Sequence, residues 1–382
     1  MFIPPKYTSW FLGAIVVITL IFGSALTQLK FDFDVENLFP RHDKDLRFYQ
    51  EHIDDFKSDK TYMIIGIEAN GGVFNEDFLA RLDAFTREMD SSEMALSASS
   101  ITNVRYYLIN PFFKTTEKPV IHPLEPDSYE KDSLFLVHYP DVKEKFISSL
   151  GTAVTVYLEL PNDIDSIDGQ QFMSQLEEKL RRHGFEQYHF SGGMETDNVY
   201  VETLKSELAL LLSLSLLLIL VVLFITFRSF PGVMIPFLII ILTVIWTMAA
   251  MALWGVAINV ISVLIPSVIS IVALSDVIHI MSRYQEEVGK SDHWRTAMQL
   301  VMKDIGMAIL LTSLTTALGF LTLGFADILP FIEFGVFTAL GVIFAWLLAV
   351  FLLPVLLVFI PVHTSPSYEF GRKWPFFLYQ WV

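Results

Sequence analysis

The chain has 382 residues, of which 53% are hydrophobic, and phenylalanine alone occurs 33 times. This composition is too apolar for an ordinary soluble protein and is typical of a chain that crosses a membrane several times. The net charge of −16 arises in one region, because residues 29–207 hold 34 Asp and Glu against 18 Lys and Arg. That acidity argues against nucleic acid as a partner, and the absence of cysteine excludes disulfides and thiolate sites.

The first apolar run extends from Trp10 to Leu26 and follows Lys6. Its length predicts a first transmembrane helix within residues 1–28. A signal peptide is the alternative, because Gly23 and Ala25 are small residues at plausible cleavage positions. Under either interpretation, the region that follows lies outside the cytoplasm.

Residues 29–205 alternate strand and helix patterns. The alternation is interrupted by an irregular insert, rich in proline and aromatic residues, from Asn110 to Pro140. Two β-α-β units predict a ferredoxin-like α+β domain, which we expect to be an extracytoplasmic, porter-like domain. The predicted strands are Thr61–Glu68, Ile101–Leu108, Thr152–Leu160 and Gln187–Phe190, and the predicted helices are Asn75–Met89, with an Asn cap, and Asp168–His183.

Residues 206–361 contain five further runs, each long enough to cross a bilayer. Together with the first they predict a bundle of six transmembrane helices, and a segment of residues 362–382 at the membrane interface. The runs are Leu208–Phe227, Val233–Trp254, Val256–Tyr284, Ile305–Phe325 and Phe334–Ile360.

The short loops predict the orientation of these spans. Basic residues follow the second and sixth spans and flank the loop after the fourth, whereas the remaining short loops carry no charge or only acids. Both termini are therefore predicted to lie in the cytoplasm. The basic residues are Arg228, Arg283, Lys290, Arg295, Lys303, Arg372 and Lys373.

An acid and an imidazole interrupt the fourth span. Asp276, His279 and Arg283 are three and four positions apart and share a helix face. A carboxylate inside an apolar helix is costly, which favours a proton-carrying role for Asp276. The alternative is an acid near the cytoplasmic end that snorkels or pairs with Arg283. His279 either takes part in a proton relay or has a structural role.

The fifth span carries a face of hydroxyl residues and glycines that can approach a neighbouring helix and hydrogen-bond across the gap. The hydroxyl residues are Thr312, Ser313, Thr315 and Thr316. One interpretation is that this polar face serves tight packing alone. The other is that Thr315 or Thr316 supports Asp276 across the gap between the helices. Gly319 and Gly324 are the small residues of this face. In other spans, Pro236 and Pro266 are predicted to produce kinks, and Pro354 to mark the end of the sixth.

Two kinds of chemistry are disfavoured. Ser275, Asp276 and His279 do not form a hydrolase triad, because adjacent helix residues point about 100° apart and no nucleophile elbow is present. One His and one Asp do not form a zinc site either, and the other histidines are scattered through loops. We therefore expect no cofactor and no metal.

The chain resembles the resistance-nodulation-division (RND) superfamily, and within it the branch of MmpL, Patched and hopanoid exporters. The resemblance is carried by ALSDVIHIMSRYQEE, LTSLTTALGFLTL and FIEFGVFTALGVIFAWLLAVFLLPVLL in the last three spans and by FDFDVENLFP after the first. It implies a sterol-sensing-like membrane domain and proton-motive-force-driven export of a lipid or other hydrophobic molecule. It also implies that Asp276 is the proton-coupling residue.

The chain departs from that family in two respects. Aligning the family's Arg-Tyr pair on Arg283 and Tyr284 places Ser275 at the first acidic position of the usual motif and Asp276 at the second acid or the tyrosine. Members also usually contain two such halves. The sequence is therefore expected to be either a fragment or a half-unit that pairs with a second RND half or with a copy of itself.

These patterns predict a proton-coupled secondary transporter of the inner membrane rather than an enzyme. The expected partners are a hydrophobic small molecule or lipid, the membrane and a periplasmic partner protein. A lipid sensor or scaffold that does not transport is the first alternative. Assistance to protein secretion, as by SecD and SecF, is the second.

Overall fold

A computed structural model describes residues 5–31, 35–56, 61–109, 115–161, 166–290 and 294–359. The chain forms two compact units, one of Met1–Leu46 with Val201–Val382 and one of Arg47–Tyr200. The predicted interfacial segment, 362–382, and residues 110–114 of the predicted insert lie outside the described residues.

Helices and strands alternate in the smaller unit, whereas the larger unit is helical. The helices are α1 (Pro5–Ala25), α2 (Lys44–Phe56), α3 (Glu76–Asp90), α4 (Tyr129–His138), α5 (Pro140–Phe146), α6 (Ser166–Arg182), α7 (Gly193–Phe227), α8 (Phe230–Leu253), α9 (Ile265–Val288), α10 (Trp294–Leu321), α11 (Leu329–Leu347) and α12 (Leu353–Phe359). The strands are β1 (Tyr62–Glu68), β2 (Ser97–Ser99), β3 (Arg105–Ile109), β4 (Thr115–Pro119), β5 (Ala153–Glu159) and β6 (Tyr188–Gly192).

A four-stranded antiparallel sheet organises the smaller unit, in the order β2-β5-β1-β6. β1 is central, so Ile65 pairs with Val156 on one side and with Phe190 on the other. Alternate residues of β1 are fully buried and share one core with α3 and α6. Asn75 caps α3, as predicted, by accepting a hydrogen bond from the backbone N–H of Phe78 at 3.1 Å.

The second predicted strand, Ile101–Leu108, was wrong in its bounds. The strand that joins the main sheet is Ser97–Ser99, and residues 101–103 form a turn. β3 forms a separate hairpin with β4. The predicted irregular insert also contains regular structure, because α4 and the beginning of α5 fall within it. Three small residues carry little intrinsic preference for a strand, and pairing with β5 determines the structure of β2.

Six segments within the described residues are long and apolar enough to cross a membrane, which confirms the predicted number of spans. They are Thr8–Gln28, Gly193–Phe227, Phe230–Leu253, Ser262–Val288, Arg295–Phe325 and Leu329–Leu357. The fourth begins later than predicted, because Asn259 accepts hydrogen bonds from the N–H groups of Ile261 and Ser262 and so forms a turn.

Two prolines have roles that differ from the prediction. Pro266 lies in the first turn of α9, where its missing N–H leaves no helix hydrogen bond unmade, so it begins the helix and does not kink it. Pro354 follows a π-helical turn, Leu348–Leu352, and α12 continues past it. The wider turn accommodates a residue that cannot donate a backbone hydrogen bond.

Helix α9 packs against α8, α10 and α11. At the crossing of three of these helices, a Cβ atom added to Gly341 of α11 would lie 1.7 Å from Cδ1 of Ile269 on α9 and 2.8 Å from Oγ1 of Thr247 on α8. By contrast, Cβ atoms added at Gly319 and Gly324 would meet nothing within 4 Å. The close approach predicted for these two glycines therefore occurs at Gly341, on a different helix.

Candidate functional site

Asp276 lies on α9 where this helix faces α10. Asp276 is buried, with 6% of its surface exposed. The helix turns before and after it are mainly apolar. Oγ of Ser313, on α10, lies 3.1 Å from Oδ2 of Asp276. The same Oγ lies 2.8 Å from the carbonyl oxygen of Ile309, one turn earlier in its own helix. A hydroxyl has one hydrogen to donate, so Ser313 can donate to Asp276 or to Ile309.

A cavity of about 600 Å³ opens beside this pair, between α9 and α10. Its residues on each helix recur at intervals of three and four, so each helix contributes one face. The polar residues from α9 are Ser275, Asp276, His279, Ser282, Arg283 and Glu286, and those from α10 are Thr312, Ser313 and Thr316. Asp276, His279 and Arg283, singled out from the sequence, therefore line one cavity.

The two threonines proposed from the sequence occupy different surroundings. Thr316 lines the cavity, and its hydroxyl donates to the carbonyl of Thr312 at 2.8 Å. Thr315 is exposed, and its hydroxyl lies 2.9 Å from the carbonyl oxygens of Leu311 and Thr312. The hydroxyl that reaches Asp276 is that of Ser313, so the expected support from Thr315 or Thr316 is replaced by a neighbouring residue.

Helical geometry explains this difference. Ser313 and Thr316 are three positions apart and share a face, whereas Thr315 is two positions from Ser313 and points to another side. Threonine hydroxyls within a helix also tend to bond the carbonyl one turn earlier. The three-residue interval was the signal in the sequence that could have identified Ser313.

Arg283 interacts with acids other than Asp276. Its guanidinium lies 2.7 Å from Glu286, 3.4 Å from Glu287 and, across to α10, 3.0 Å from Asp304. The pair with Asp304 joins the carboxyl end of α9 to α10, whereas the other two pairs lie within α9. The alternative in which Arg283 neutralises Asp276 is therefore not the arrangement observed. His279 is exposed and lines the cavity one turn after Asp276.

An acid of the smaller unit has a different environment. Glu88 of α3 accepts hydrogen bonds from Lys179, in the last turn of α6, and, at 2.7 Å, from Nε2 of His183, which directly follows α6. The bond from Lys179 contributes most to lowering the pKa of Glu88 from 4.5 to about 2. Among the residues that the structure describes, no three His, Asp or Glu side chains come together as metal ligands.

The profile of the MMPL family matches residues 44–376, so the chain belongs to the MMPL family, within the RND superfamily. A protein of Methanocaldococcus jannaschii, MJ1562, whose name describes it as a membrane protein, is 32% identical over 165 residues. The match covers 43% of this chain and 42% of that relative. Family membership and the six apolar spans indicate a multi-pass membrane protein.

Proposed function

We propose that this protein uses the proton-motive force to export a lipid or other hydrophobic molecule from the cytoplasmic membrane, with Asp276 as the proton-coupling residue. The observation that carries the proposal is a buried carboxyl group, hydrogen-bonded to a neutral hydroxyl, beside a cavity between two membrane-spanning helices. A carboxylate in this position is costly, and taking up a proton removes the charge.

Ser313 is suited to both protonation states of Asp276. When Asp276 is charged, the Ser313 hydroxyl donates to Oδ2 across the 3.1 Å separation. When Asp276 holds a proton, its own O–H donates to Oγ of Ser313, whose hydrogen then turns to the carbonyl of Ile309, 2.8 Å away. Each state thus keeps its hydrogen bonds satisfied. Ser313 positions the proton-carrying group in this scheme and does not itself bind the transported proton.

The cavity supplies a route for that proton. His279 and Thr316 line it together with Asp276, so water in the cavity can connect their polar atoms. Thr315 is exposed and lies outside this lining. Moving one charge through a potential of 100 mV releases about 2.3 kcal/mol, enough to shift the bundle between two arrangements of similar free energy.

The smaller unit is proposed to be a ferredoxin-like domain outside the cytoplasm, within residues 29–205. The main sheet and its helices follow in the order β1-α3-β2-β5-α6-β6, with β3, β4, α4 and α5 inserted between β2 and β5, and this succession and the strand order support the assignment. The excess of acids in this region and the basic loops of the spans support an external domain and cytoplasmic termini. We expect this domain to receive the hydrophobic substrate and to meet a periplasmic partner protein.

A second RND half, or a second copy of this chain, is proposed to cover the open side of the bundle. The most apolar stretches of the spans of α1, α7 and α10 are only 6%, 11% and 17% buried, whereas that of α8 is 67% buried. On α10, Leu311, Leu314 and Leu318 are exposed. These exposed apolar faces support a partner beside α1, α7 or α10.

The coupling assignment is tested by Asp276→Asn in proteoliposomes with an imposed proton gradient. The readouts are internal pH and transfer of a fluorescent phospholipid to acceptor vesicles. We expect the variant to fold and insert but to lose gradient-dependent transfer. Asp304→Asn is the matched control, since Asp304 is a half-exposed acid of α10 paired with Arg283.

The control variant should transfer lipid at the parent rate. Full gradient-dependent transfer by Asp276→Asn would show that the coupling assignment is wrong. Phospholipid binding by the parent with no gradient-dependent transfer would favour the lipid sensor or scaffold.

A further inference from the structure

The π-helical turn of the sixth span, Leu348–Leu352, separates α11 from α12. The backbone N–H of Leu353 donates to the carbonyl of Leu348, five residues earlier, whereas an α-helix joins residues four apart. Pro354 follows and has no N–H to donate, so the ladder lacks one hydrogen bond there. The ladder is therefore irregular at two successive positions, and helices bend at positions of this kind.

This turn lies at the level of Asp276 in the bundle. α9 and α11 begin at the same end, because a side-chain hydrogen bond of 2.8 Å joins the α8–α9 loop to the first turns of α11. Further along both helices, Gly341 packs directly on Ile269. Leu348 follows Gly341, and Asp276 follows Ile269, by the same seven residues, or about 10 Å along each helix axis. The turn and the acid are therefore neighbours across the α9–α11 contact.

The turn also shares one buried core with the surroundings of Asp276. It packs against α8 and α9, and its buried side chains belong to the same apolar cluster as Val277, the residue after Asp276. Ile309 of α10 belongs to this cluster too, and its carbonyl is the second acceptor for the hydroxyl of Ser313. Because a close-packed interior transmits small displacements, a change at Asp276 reaches the turn.

The two sides of the turn are held differently. Before it, α11 has no space for a side chain at Gly341, where Ile269 of α9 and Thr247 of α8 meet it. After it, α12 is a helix of only 7 residues that packs against α8. Next to the turn, Nε1 of Trp346 is buried and has no hydrogen-bond partner among the described residues. A buried donor without a partner is costly, so a shift of this segment that gives it one is favoured.

The charged and titratable groups of the helices around Asp276 lie on α9, on α10 and at the far end of α11. They are His279, Arg283, Tyr284, Glu286 and Glu287 of α9, Arg295, Lys303 and Asp304 of α10, and Glu333 of α11. α8, the π-helical turn and α12 carry no charged side chain. The turn itself does not titrate, so any dependence of its shape on pH must begin on the neighbouring helices.

We infer that the π-helical turn is the hinge of the sixth span and that proton binding at Asp276 sets its angle through α9. α11 stays packed on α8 and α9, and α12 tilts. This inference rests on the proposed function and deepens it, because it names the element that converts proton binding into movement. A bend of about 20° over α12, which is about 10 Å long, moves its end by about 3 Å.

The absence of cysteine from the sequence allows the movement to be measured with pairs of spin labels. Lys290→Cys with Phe359→Cys places labels after α9 and at the last residue of α12. Leu264→Cys with Val336→Cys, between the beginnings of α9 and α11, is the matched control pair. Distances are measured by pulsed electron paramagnetic resonance in phosphatidylcholine nanodiscs at pH 5 and pH 9. We expect the first distance to change by about 3 Å, the control distance to stay constant, and Asp276→Asn to abolish the change.

Two variants remove the irregularity of the turn. Deletion of Val350 takes out one residue of the wide turn, and Pro354→Ala restores a backbone N–H without changing the length of the chain. Each should abolish the change in the first distance. Pro266→Ala is the matched control, since Pro266 lies in the first turn of α9, where no helix hydrogen bond is missing. It should show the same change as the parent.

Several results would overturn the inference. They are an unchanged first distance, equal changes in both label pairs, and a change that persists in Pro354→Ala. A change that persists in Asp276→Asn would assign the pH response to another group, such as His279, and would overturn it too. A distance change that needs both Asp276 and Pro354, in a protein without gradient-dependent transfer, would reject the proposed function alone. Gradient-dependent transfer that needs Asp276, with no distance change, would reject the hinge alone.

Discussion

Glu88 and Asp276 each lie on one helix and face a second helix. They differ in the hydrogen-bond partner that this second helix supplies. In the smaller unit, Glu88 receives hydrogen bonds from Lys179 and His183, so protein groups stabilise its charge. In the membrane unit, the hydrogen-bond partner of the buried Asp276 is the neutral hydroxyl of Ser313. An acid with a fixed cationic partner stabilises a fold, whereas an acid with a neutral partner can bind and release a proton.

The largest loss of stability is expected at Gly341, where α11 packs closely against α9, the helix that carries Asp276. Gly341→Ala places a methyl group on Cδ1 of Ile269, a fully buried residue of α9, so the Ile269 side chain must leave its position in a packed core. Overpacking of this kind costs about 3 kcal/mol. We expect a much lower yield of folded protein and a lower Tm, measured by fluorescence-detected size exclusion and differential scanning fluorimetry.

Two controls identify the cause of that loss. Gly319→Ala makes the same change in α10, where nothing lies within 4 Å, and should not lower Tm, since alanine favours a helix over glycine. Ile269→Val removes the atom with which the new methyl group collides, so the double variant should recover part of the lost stability. A double variant no more stable than Gly341→Ala would contradict the proposed contact.

The next effect concerns the neutral partner itself. Ser313→Ala removes the hydroxyl that hydrogen-bonds to the buried Asp276, which costs about 2 kcal/mol. If that cost falls on the charged state needed in the transport cycle, gradient-driven transport should fall roughly 30-fold. Ser313→Thr keeps a hydroxyl and should retain most of the rate. Thr315→Ala, in the same helix but outside the cavity, should transport at the parent rate. Equal losses in the two alanine variants would indicate a general packing defect.

Local patterns in the sequence were sufficient to predict the spans and the helix face that carries Asp276. The length and apolar character of the runs predicted six spans, and the three- and four-residue intervals placed Asp276, His279 and Arg283 on one face. The β-branched run Thr61–Glu68 predicted β1, and the Asn75 cap predicted the beginning of α3. These features depend on local geometry, which the sequence encodes directly.

The remaining features depend on which segments meet in three dimensions. β2 exists because β5 pairs with it, and its serines and alanine carry no strand signal. Gly319 and Gly341 look alike in the sequence, but only Gly341 lies at a crossing of three helices. Ser313 was placed on the polar face of the fifth span but was not assigned to Asp276, because the rotation of α10 relative to α9 determines which hydroxyl reaches that acid.

A smaller effect is expected at Glu88. Glu88→Gln removes the charge that Lys179 and His183 stabilise, and we expect a loss of about 1 kcal/mol at pH 7, after allowance for solvent screening of this partly exposed side chain. Thermal unfolding of the full chain in detergent provides the measurement. Glu93→Gln, a change of the same kind in an acid near the end of α3, should leave Tm unchanged.

The same group predicts a pH dependence. Because folding lowers the pKa of Glu88 from 4.5 to about 2, its contribution is fully present above pH 4.5 and is lost as the pH falls toward 2. The difference in Tm between parent and Glu88→Gln should therefore be constant from pH 7 to 5 and shrink below pH 4.5. A difference that grows on acidification would contradict the assigned ion pair.

The smallest effect is expected for the stability of Asp276→Asn. Asn has nearly the same shape, can hydrogen-bond to Ser313 and carries no charge into the membrane, so the free energy of unfolding should change by less than about 0.5 kcal/mol. Thermal unfolding at pH 7, beside Glu88→Gln in the same detergent, measures this. A loss as large as that of Glu88→Gln would mean that Asp276 stabilises the bundle, and the contrast between a structural acid and a proton-carrying acid would then disappear.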